Sequence, residues 1–518
     1  MTTSTLATQK YSDKTRTTTL IYTAFIAGLC SIIYELLIAT TVSYFLGDSV
    51  KYFSITIGVY MAAMGLGSYI SKYIDERILE RFIIIELWLG VLGGLSIPAL
   101  YFTYAYFSPL FIPTYLFFTI AIGFFIGLEI PFLTRLMETY NQLKVNIANI
   151  LSFDYLGALL ATISFPFILL PLFGVYQSSL LFGLVNMSIG FVVLHFFADQ
   201  VGYKSKRYKK ITYLFTTIIV LMIIFSSVAL RHWDNALYED RVVHSEQSRY
   251  QKIVVTKDRD DVRLFLDGNL QFSSIDEYRY HEALVHVPMA LKPGTVKRVL
   301  LLGAGDGLAI RELLKYPEIE EIILVDLDDA VIDLAANNPY FTQLNKSSLQ
   351  SNKVEVIISD AFTYLRENTN EFDLIISDLP DPNNNALARL YSKQFYKLLH
   401  MNISPTGMFI SQATSPYFAK QAYWSIVKTI GAGGFEYTYP YHATVPSFGE
   451  WGFVLASSVP LQPESPRLSI DTQFLDEQTL SKLFDFPKDI IAHNVEINML
   501  DKPILLGYYL KGWQHYGR

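Results

Sequence analysis

Long apolar runs fill the chain before residue 231 and constrain it more than any other feature. Seven stretches, roughly 18–46, 52–74, 82–106, 110–134, 147–171, 176–198 and 211–230, each come near the ~20 residues that cross a bilayer core. In lipid the backbone has no water to bond, so such runs must be helical. The 518 residues are 51% apolar with mean hydropathy +0.28, and the excess sits in this half, which rules out an ordinary soluble protein. The expectation is an α-helical membrane bundle of about seven spans over residues 1–232. The first 17 residues are polar and the first apolar run is too long for a cleavable signal. Cys30 is the single cysteine, so no intrachain disulfide can form.

Basic residues gather in alternate connections: Lys10, Lys14 and Arg16, then Lys72, Arg77 and Arg81, then Arg135 and Lys144, then Lys204 to Lys210. The positive-inside rule puts that face, and the N-terminus, in the cytoplasm. Seven spans would carry the C-terminal half to the other side, where nucleoside cofactors are scarce. Either the count is off by one or the catalytic half faces an unexpected side, and the cofactor read below makes the cytoplasm the expectation. Glu35, Glu86, Glu129 and Asp154 fall inside the spans, either as a cation path or as helix–helix hydrogen bonds. Small residues at Gly65 to Ser68 and Gly90 to Gly94 suit close helix packing.

The second half is organised around Val299 to Asp328, VLLLGAGDGLAIRELLKYPEIEEIILVDLD. A buried-strand run, a glycine-rich turn Gly303-Ala304-Gly305-Asp306-Gly307, a helical segment and a second strand ending in Asp326 make a β-turn-α-β unit. The glycines admit a close ligand, and an acid at the second strand's end can accept from two ribose hydroxyls. Asp306 inside the turn would repel a pyrophosphate, so a cationic nucleoside fits better than a dinucleotide. Asp360-Ala361, after the strand Val354 to Ile358, can accept from an adenine amino group. S-adenosylmethionine or a relative has those parts and no phosphate.

Strand candidates 298–302, 322–326, 354–358, 373–377 and 407–412 alternate with helices, which predicts a doubly wound, Rossmann-like, methyltransferase-type α/β domain. Ligands bind such sheets at the strands' carboxyl ends. The glycine turn, Asp326, Asp360 and Asp378 all fall there. Asp378 and Asp381 stand three apart in the proline-stiffened loop Asp378-Leu379-Pro380-Asp381-Pro382, either a rigid anionic site or a plain turn. Ahead of this lies a small β-strand domain with an Asp267-Gly268 hairpin turn. The expected division is 1–232 membrane, 233–290 small β domain, 291–460 catalytic domain and 461–518 C-terminal extension. Residues 473–485 look amphipathic. The histidines are scattered, and no metal cluster is expected.

From Tyr250 to about Ser457 the chain resembles the spermidine synthase family, the polyamine aminopropyltransferases. The resemblance rests on Arg249-Tyr250-Gln251, Leu266-Asp267-Gly268 with Gln271, Asp276-Glu277 leading to Tyr280-His281-Glu282, the Gly303–Gly307 turn, Asp326-Leu327-Asp328, Asp360-Ala361, Asp378-x-x-Asp381-Pro382, Tyr391 to Tyr396 and Thr444-Val445-Pro446-Ser447-Phe448, in order and at matching spacing. The whole chain looks like the bacterial variant in which a multi-span membrane domain precedes the synthase. The resemblance implies transfer of an aminopropyl group from decarboxylated S-adenosylmethionine to a di- or polyamine such as putrescine, releasing methylthioadenosine. No prosthetic group is implied.

By the same resemblance Asp378 deprotonates the attacking amine, while Asp381, Tyr280 and the Phe448 position serve the acceptor. Gln251, His281, Gly303, Gly305, Asp306, Asp326, Asp360 and Ala361 hold the donor. Intact S-adenosylmethionine would bring a carboxylate toward Asp306 and Asp378, and like charge disfavours it. The expected partners are the amine, the bilayer and a second copy of the chain, with no nucleic acid. The sequence departs from the family at Ala304 and Leu308 in the turn, at Asp326 in place of glutamate, at Phe448 in place of tyrosine, and in the loop Asn383-Asn384-Asn385. Alanine at 304 is expected to be easily accommodated. A methyltransferase using intact donor and a transporter or sensor with a non-catalytic synthase-like domain are the alternatives; Asp378 and Asp381 argue against both.

Overall fold

Apolar runs whose backbone must bond to itself become long helices. The computed structural model describes residues 11–46, 49–140, 142–292 and 294–515; Lys10 of the tail cations lies outside them. The chain divides into a unit Met1–Glu239 and a unit Asp240–Arg518.

The first unit contains α1 (Asp13–Leu46), α2 (Ser49–Ser71), α3 (Ile78–Tyr106), α4 (Phe111–Glu138), α5 (Leu143–Ser164) and α6 (Leu170–Phe196). Among the described residues, five helical stretches are long and apolar enough to cross a membrane: Asp13–Leu46, Val50–Ser71, Ile78–Tyr106, Ser108–Glu138 and Leu143–Phe196. The expected number was about seven, and the difference arises in two places. The fifth stretch runs 54 residues through both α5 and α6, and it is broken by a wide turn at Phe165–Leu169 and by Gly174 at φ 64°. The last expected span falls on the helix Ser205–Ile224, whose first turns carry Lys206, Arg207, Lys209 and Lys210. That helix runs back along its neighbours: Lys204 pairs with Glu80 at 2.7 Å, Ile219 lies against Gly94, and Ser226 bonds Gln177 at 3.2 Å.

Close approach explains the small residues. A Cβ on Gly183 of α6 would lie 2.8 Å from the Gly90 carbonyl oxygen of α3. The acids within these apolar helices differ in setting. Glu86 and Glu129 are buried, with Glu86 accepting from Asn186 Nδ2 at 2.9 Å, whereas Glu35 and Asp154 are half-buried. Arg16, counted as a tail cation, is buried and paired with Asp199 at 2.5 Å.

The second unit opens with an antiparallel sheet, β1 (Arg241–Gln247), β2 (Lys252–Asp258), β3 (Asp261–Leu266) and β4 (Asn269–Ser273), in that order. Asp267 and Gly268, both at positive φ (47° and 77°), make the tight turn between β3 and β4 that their identity predicts. The helix Glu277–Leu291 follows. Then come β5 (Arg298–Gly303), β6 (Glu321–Asp326), β7 (Val354–Ile358), β8 (Phe372–Asp378), β9 (Ile403–Gln412), β10 (Tyr437–Val445) and β11 (Gly449–Ser457). They form one seven-stranded sheet ordered β10-β11-β9-β8-β5-β6-β7. β5 to β9 are parallel, and the β10–β11 hairpin adds antiparallel to β9. Leu300, Leu302, Leu324, Ile375 and Ile376 are fully buried, as continuous apolar strands covered on both faces should be. The chain builds from β5 toward β7, then returns to place β8 on the other side of β5. The strand order therefore reverses between β5 and β8, where open sheets leave a crevice.

The C-terminal extension packs on this same unit. Glu282 of the helix Glu277–Leu291 accepts from the backbone N–H groups of Gln473, Phe474 and Leu475 at 2.7, 2.9 and 3.0 Å. Leu475, Leu480 and Leu483 of the amphipathic segment are buried in its core. Asn498, fully buried, donates to the carbonyls of Ala388 (2.9 Å) and Tyr391 (3.1 Å), and the helix Leu505–His515 buries Leu505 and Tyr509.

Candidate functional site

Parallel pairing sets Gly303 beside Asp378 and Leu302 beside Ser377, so the glycine turn and the acidic loop leave the sheet together at the reversal point. A Cβ on Gly303, which sits at φ 78°, would run into the Asp378 carbonyl. A Cβ on Gly305 would lie 2.6 Å from Asp326 Oδ2, so only glycine leaves that carboxylate room. Ala304 corrects the expectation of easy accommodation. Its φ is 63°, a left-handed conformation that costs a residue with a Cβ about 1–2 kcal/mol. Leu308 is buried in the core at the start of the following helix.

Four of the acids named from sequence line the carboxyl ends of β5, β6 and β8. Asp306 accepts from Leu308 N–H at 2.8 Å, and burial raises its pKa. Asp326 accepts from Asp328 N–H at 2.9 Å, and burial pushes it up to about 6. Burial pushes Asp378 up to about 6 as well; the charge of His281 and a 2.5 Å hydrogen bond from the Tyr280 hydroxyl pull the other way. Asp381, also raised to about 6 by burial, accepts from Thr414 Oγ1 at 2.9 Å and Gln412 Nε2 at 3.2 Å.

His281 sits among these groups. Its Nδ1 faces Glu277 Oε2 at 2.7 Å, and Glu277 in turn takes both guanidinium nitrogens of Arg311 at 2.8 and 3.0 Å. Burial opposes a cationic ring, but Glu277, with help from Asp306, pushes His281 up to about 9. The site thus gathers four half-buried acids, whose pKa values desolvation raises, beside an imidazole whose cationic form Glu277 favours.

The remaining residues fall around this centre. Gln251 Nε2 donates to Asp328 Oδ2 at 2.9 Å, and Ser248 Oγ donates to the same oxygen at 2.6 Å. Asp360 caps the helix Ala361–Glu367 through Thr363 N–H at 3.0 Å and pairs with Arg389. Phe448 lies in the turn between β10 and β11, 6.0 Å from the Tyr280 ring and 5.1 Å from the Trp451 ring. That turn is tied to the helix Glu277–Leu291 by Asp276, which accepts from Ser447 N–H and Oγ at 2.6 and 2.8 Å.

Several of these partners were not singled out as site residues from sequence. Asp328 was read only as part of a motif, yet it fixes Gln251. Gln412, Thr414 and Tyr391 hold the Asp381 loop, Tyr391 by donating to the Leu379 and Pro380 carbonyls at 3.0 and 3.1 Å. A polar Ser411-Gln412 ending an apolar strand was the one available signal for that group. Among the described residues no group of three or more His, Cys, Asp or Glu is arranged to hold a metal ion.

Residues 277–464 match the family described as "Spermine/spermidine synthase domain". The chain is 41% identical to a polyamine aminopropyltransferase of Leptospira interrogans over 96% of this chain and 99% of that one. It is 39% identical to polyamine aminopropyltransferase 2 of Ralstonia nicotianae over 95% and 98%. Among solved structures, a spermidine synthase from Thermotoga maritima is 29% identical, covers 48% of this chain and 86% of its own, and superposes with TM-score 0.44. A spermidine synthase in complex with the transition-state analogue AdoDATO has the same scores. With relatives this similar along nearly their whole length, the chain belongs to the spermine/spermidine synthase family of polyamine aminopropyltransferases.

Proposed function

We propose that this chain is a membrane-bound aminopropyltransferase that moves the aminopropyl group of decarboxylated S-adenosylmethionine to putrescine or a related amine. The observation that carries this is the set of half-buried carboxylates Asp306, Asp326, Asp378 and Asp381 at the sheet's reversal point, with Tyr280 bonded to Asp378. A donor and an acceptor that are both cations suit such a crevice; a donor with its own carboxylate does not. Asp326 with Gln251 serves the ribose, Asp360 and Ala361 the adenine, and Gly303 and Gly305 the close passage of the nucleoside. Asp306 faces the aminopropyl arm, and His281 lies near the nucleoside. Asp381, Tyr280 and Phe448 shape the acceptor side.

Asp378 takes a proton from the attacking ammonium, whose amine then displaces methylthioadenosine at the carbon bonded to sulfur. The new C–N bond forms as the C–S bond breaks, and the electron pair leaves on sulfur. A carboxylate near 6 facing an amine near ~10.4 makes full proton transfer uphill by on the order of 6 kcal/mol. That is affordable within an enzymatic barrier once amine and sulfonium are held in line.

The division 1–232, 233–290, 291–460 and 461–518 belongs to this reading, as does a homodimer. For the membrane half we favour seven crossings: the break at Phe165–Gly174 supports splitting the long fifth stretch, and the contacts of Ser205–Ile224 from Glu80 to Gln177 support a last crossing. The nucleoside donor favours the cytoplasm for the catalytic half. The odd count and the basic connections favour the opposite face. Single cysteines introduced at Lys144 and Glu464 of a Cys30→Ser background, labelled from outside intact cells, separate the two: labelling of neither supports the cytoplasm, and labelling at 464 alone supports the other face.

The function itself is tested by supplying decarboxylated and intact S-adenosylmethionine in parallel with putrescine. The reading requires methylthioadenosine from the decarboxylated donor alone. Methyl transfer from the intact donor would replace it with the methyltransferase reading.

A further inference from the structure

The C-terminal helix Leu505–His515 reaches the acceptor side of the site, although nothing in the sequence motifs assigns it a part. Tyr509 is buried within the cluster that includes Leu379 and Tyr391, and its hydroxyl lies beside the Asp381 carboxylate. One turn on, Trp513 stacks on Phe418 with ring centroids 5.0 Å apart. Phe418 in turn lies against Gly449, the residue after Phe448. The helix is held there from both ends of its seat. Asn498 ties the preceding segment to the Ala388 and Tyr391 carbonyls, and a Cβ on Gly512 would meet the Ala419 Cα at 2.7 Å.

Asp381 already accepts from Thr414 and Gln412, so a bound ammonium must share what remains of its lone pairs. A neighbouring phenol that can rotate between donating to Asp381 and accepting from the ammonium adjusts that sharing.

We propose that Tyr509 is a specificity-determining residue of the acceptor site, closing its far end beside Asp381 and limiting the length of amine that fits. This rests on the reading of Asp381 as the acceptor's anchor. A longer polyamine would need the volume that the Tyr509 ring fills, whereas a short diamine ends at the carboxylate. The loss of a hydroxyl at Phe448 is then offset by one brought from the C-terminal helix.

The test uses the full chain in detergent, with wild type, Tyr509→Phe and Tyr509→Ala assayed against putrescine and spermidine. Donor affinity, measured by calorimetry, reports folding. Tyr509→Phe should raise the KM of the preferred amine about tenfold, the effect of one hydrogen bond to a charged group, with donor affinity unchanged. Tyr509→Ala should shift the ratio of kcat/KM for spermidine over putrescine at least several-fold toward spermidine. Equal losses for both amines with a fall in donor affinity would show a purely structural role and overturn the proposal. So would an unchanged amine KM in Tyr509→Phe, which stands even if Tyr509→Ala does not fold. Wild-type protein that turns over no amine would instead sink the acceptor-site reading, and Tyr509's role with it.

Discussion

The Tyr280 hydroxyl donates to Asp378 at 2.5 Å, and its effect on the base has a definite sign. Burial raises Asp378 to about 6, while the Tyr280 hydroxyl, by donating to the carboxylate, lowers it. Removing that donor must raise the pKa further. The base form is lost as pH falls through the folded value, so turnover should have an acid limb near pH 6 that moves upward in Tyr280→Phe. A limb that stays in place, with activity otherwise retained, would mean that Asp378 is not the titrating base. At this scale the sequence was informative where chemistry is local. Asp378 and Asp381 are separated by two residues and proline-stiffened, and they end up at one strand end as their spacing suggests. The partners that hold Asp381 and Glu277 were not legible. Gln412 and Thr414 stand more than thirty positions from Asp381, and Arg311 stands 34 from Glu277, and no local pattern announces such pairings.

Among the elements, the helix Glu277–Leu291 does the most joining. Its first turns present Glu277, Tyr280 and His281 to the site, and one residue later Glu282 holds the C-terminal extension by three backbone N–H groups. Glu282→Ala leaves those three donors unpaired, at up to about 1–3 kcal/mol for the buried Leu475 N–H and less for the part-buried N–H groups of Gln473 and Phe474. The expected outcome is a loss of several kcal/mol in denaturant unfolding and early proteolytic cleavage between 465 and 485. Resistance equal to wild type would mean that the extension is held by its apolar contacts alone. Strand and helix alternation from 298 to 412 was readable because continuous apolar strands have few other uses. The β10–β11 hairpin was not, because Tyr437 to Ser457 mixes aromatic, polar and glycine residues without clean alternation. The extension's amphipathic stretch was visible, but amphipathicity names a buried face and not the surface that buries it.

For the whole molecule, the apolar residues concentrate in the first of two compact units, which holds the helical stretches long and apolar enough to cross a membrane. The cores of Asp240–Arg518 are assembled from its own strands, helices and extension. Residues 240–518 produced alone should therefore stay soluble without detergent and bind donor with the affinity of the full chain. Aggregation of that fragment, or loss of donor binding, would show that the membrane half completes the catalytic fold. The count of crossings was the least legible feature. The sequence reading counts 147–171, 176–198 and 211–230 as separate spans, whereas the structure joins the first two in one 54-residue helical stretch, Leu143–Phe196, and starts the helix Ser205–Ile224 with four cations in its first turns.

The most direct test of the central claim is methylthioadenosine release by the full-length protein given decarboxylated S-adenosylmethionine and an amine panel of putrescine, cadaverine and spermidine, with Asp378→Asn run beside it. Release with at least one amine by wild type, and none by Asp378→Asn despite unchanged donor binding, is the predicted result. Undiminished release by Asp378→Asn would contradict the mechanism, and donor binding without release from any amine would contradict the assignment as an aminopropyltransferase acting on these amines.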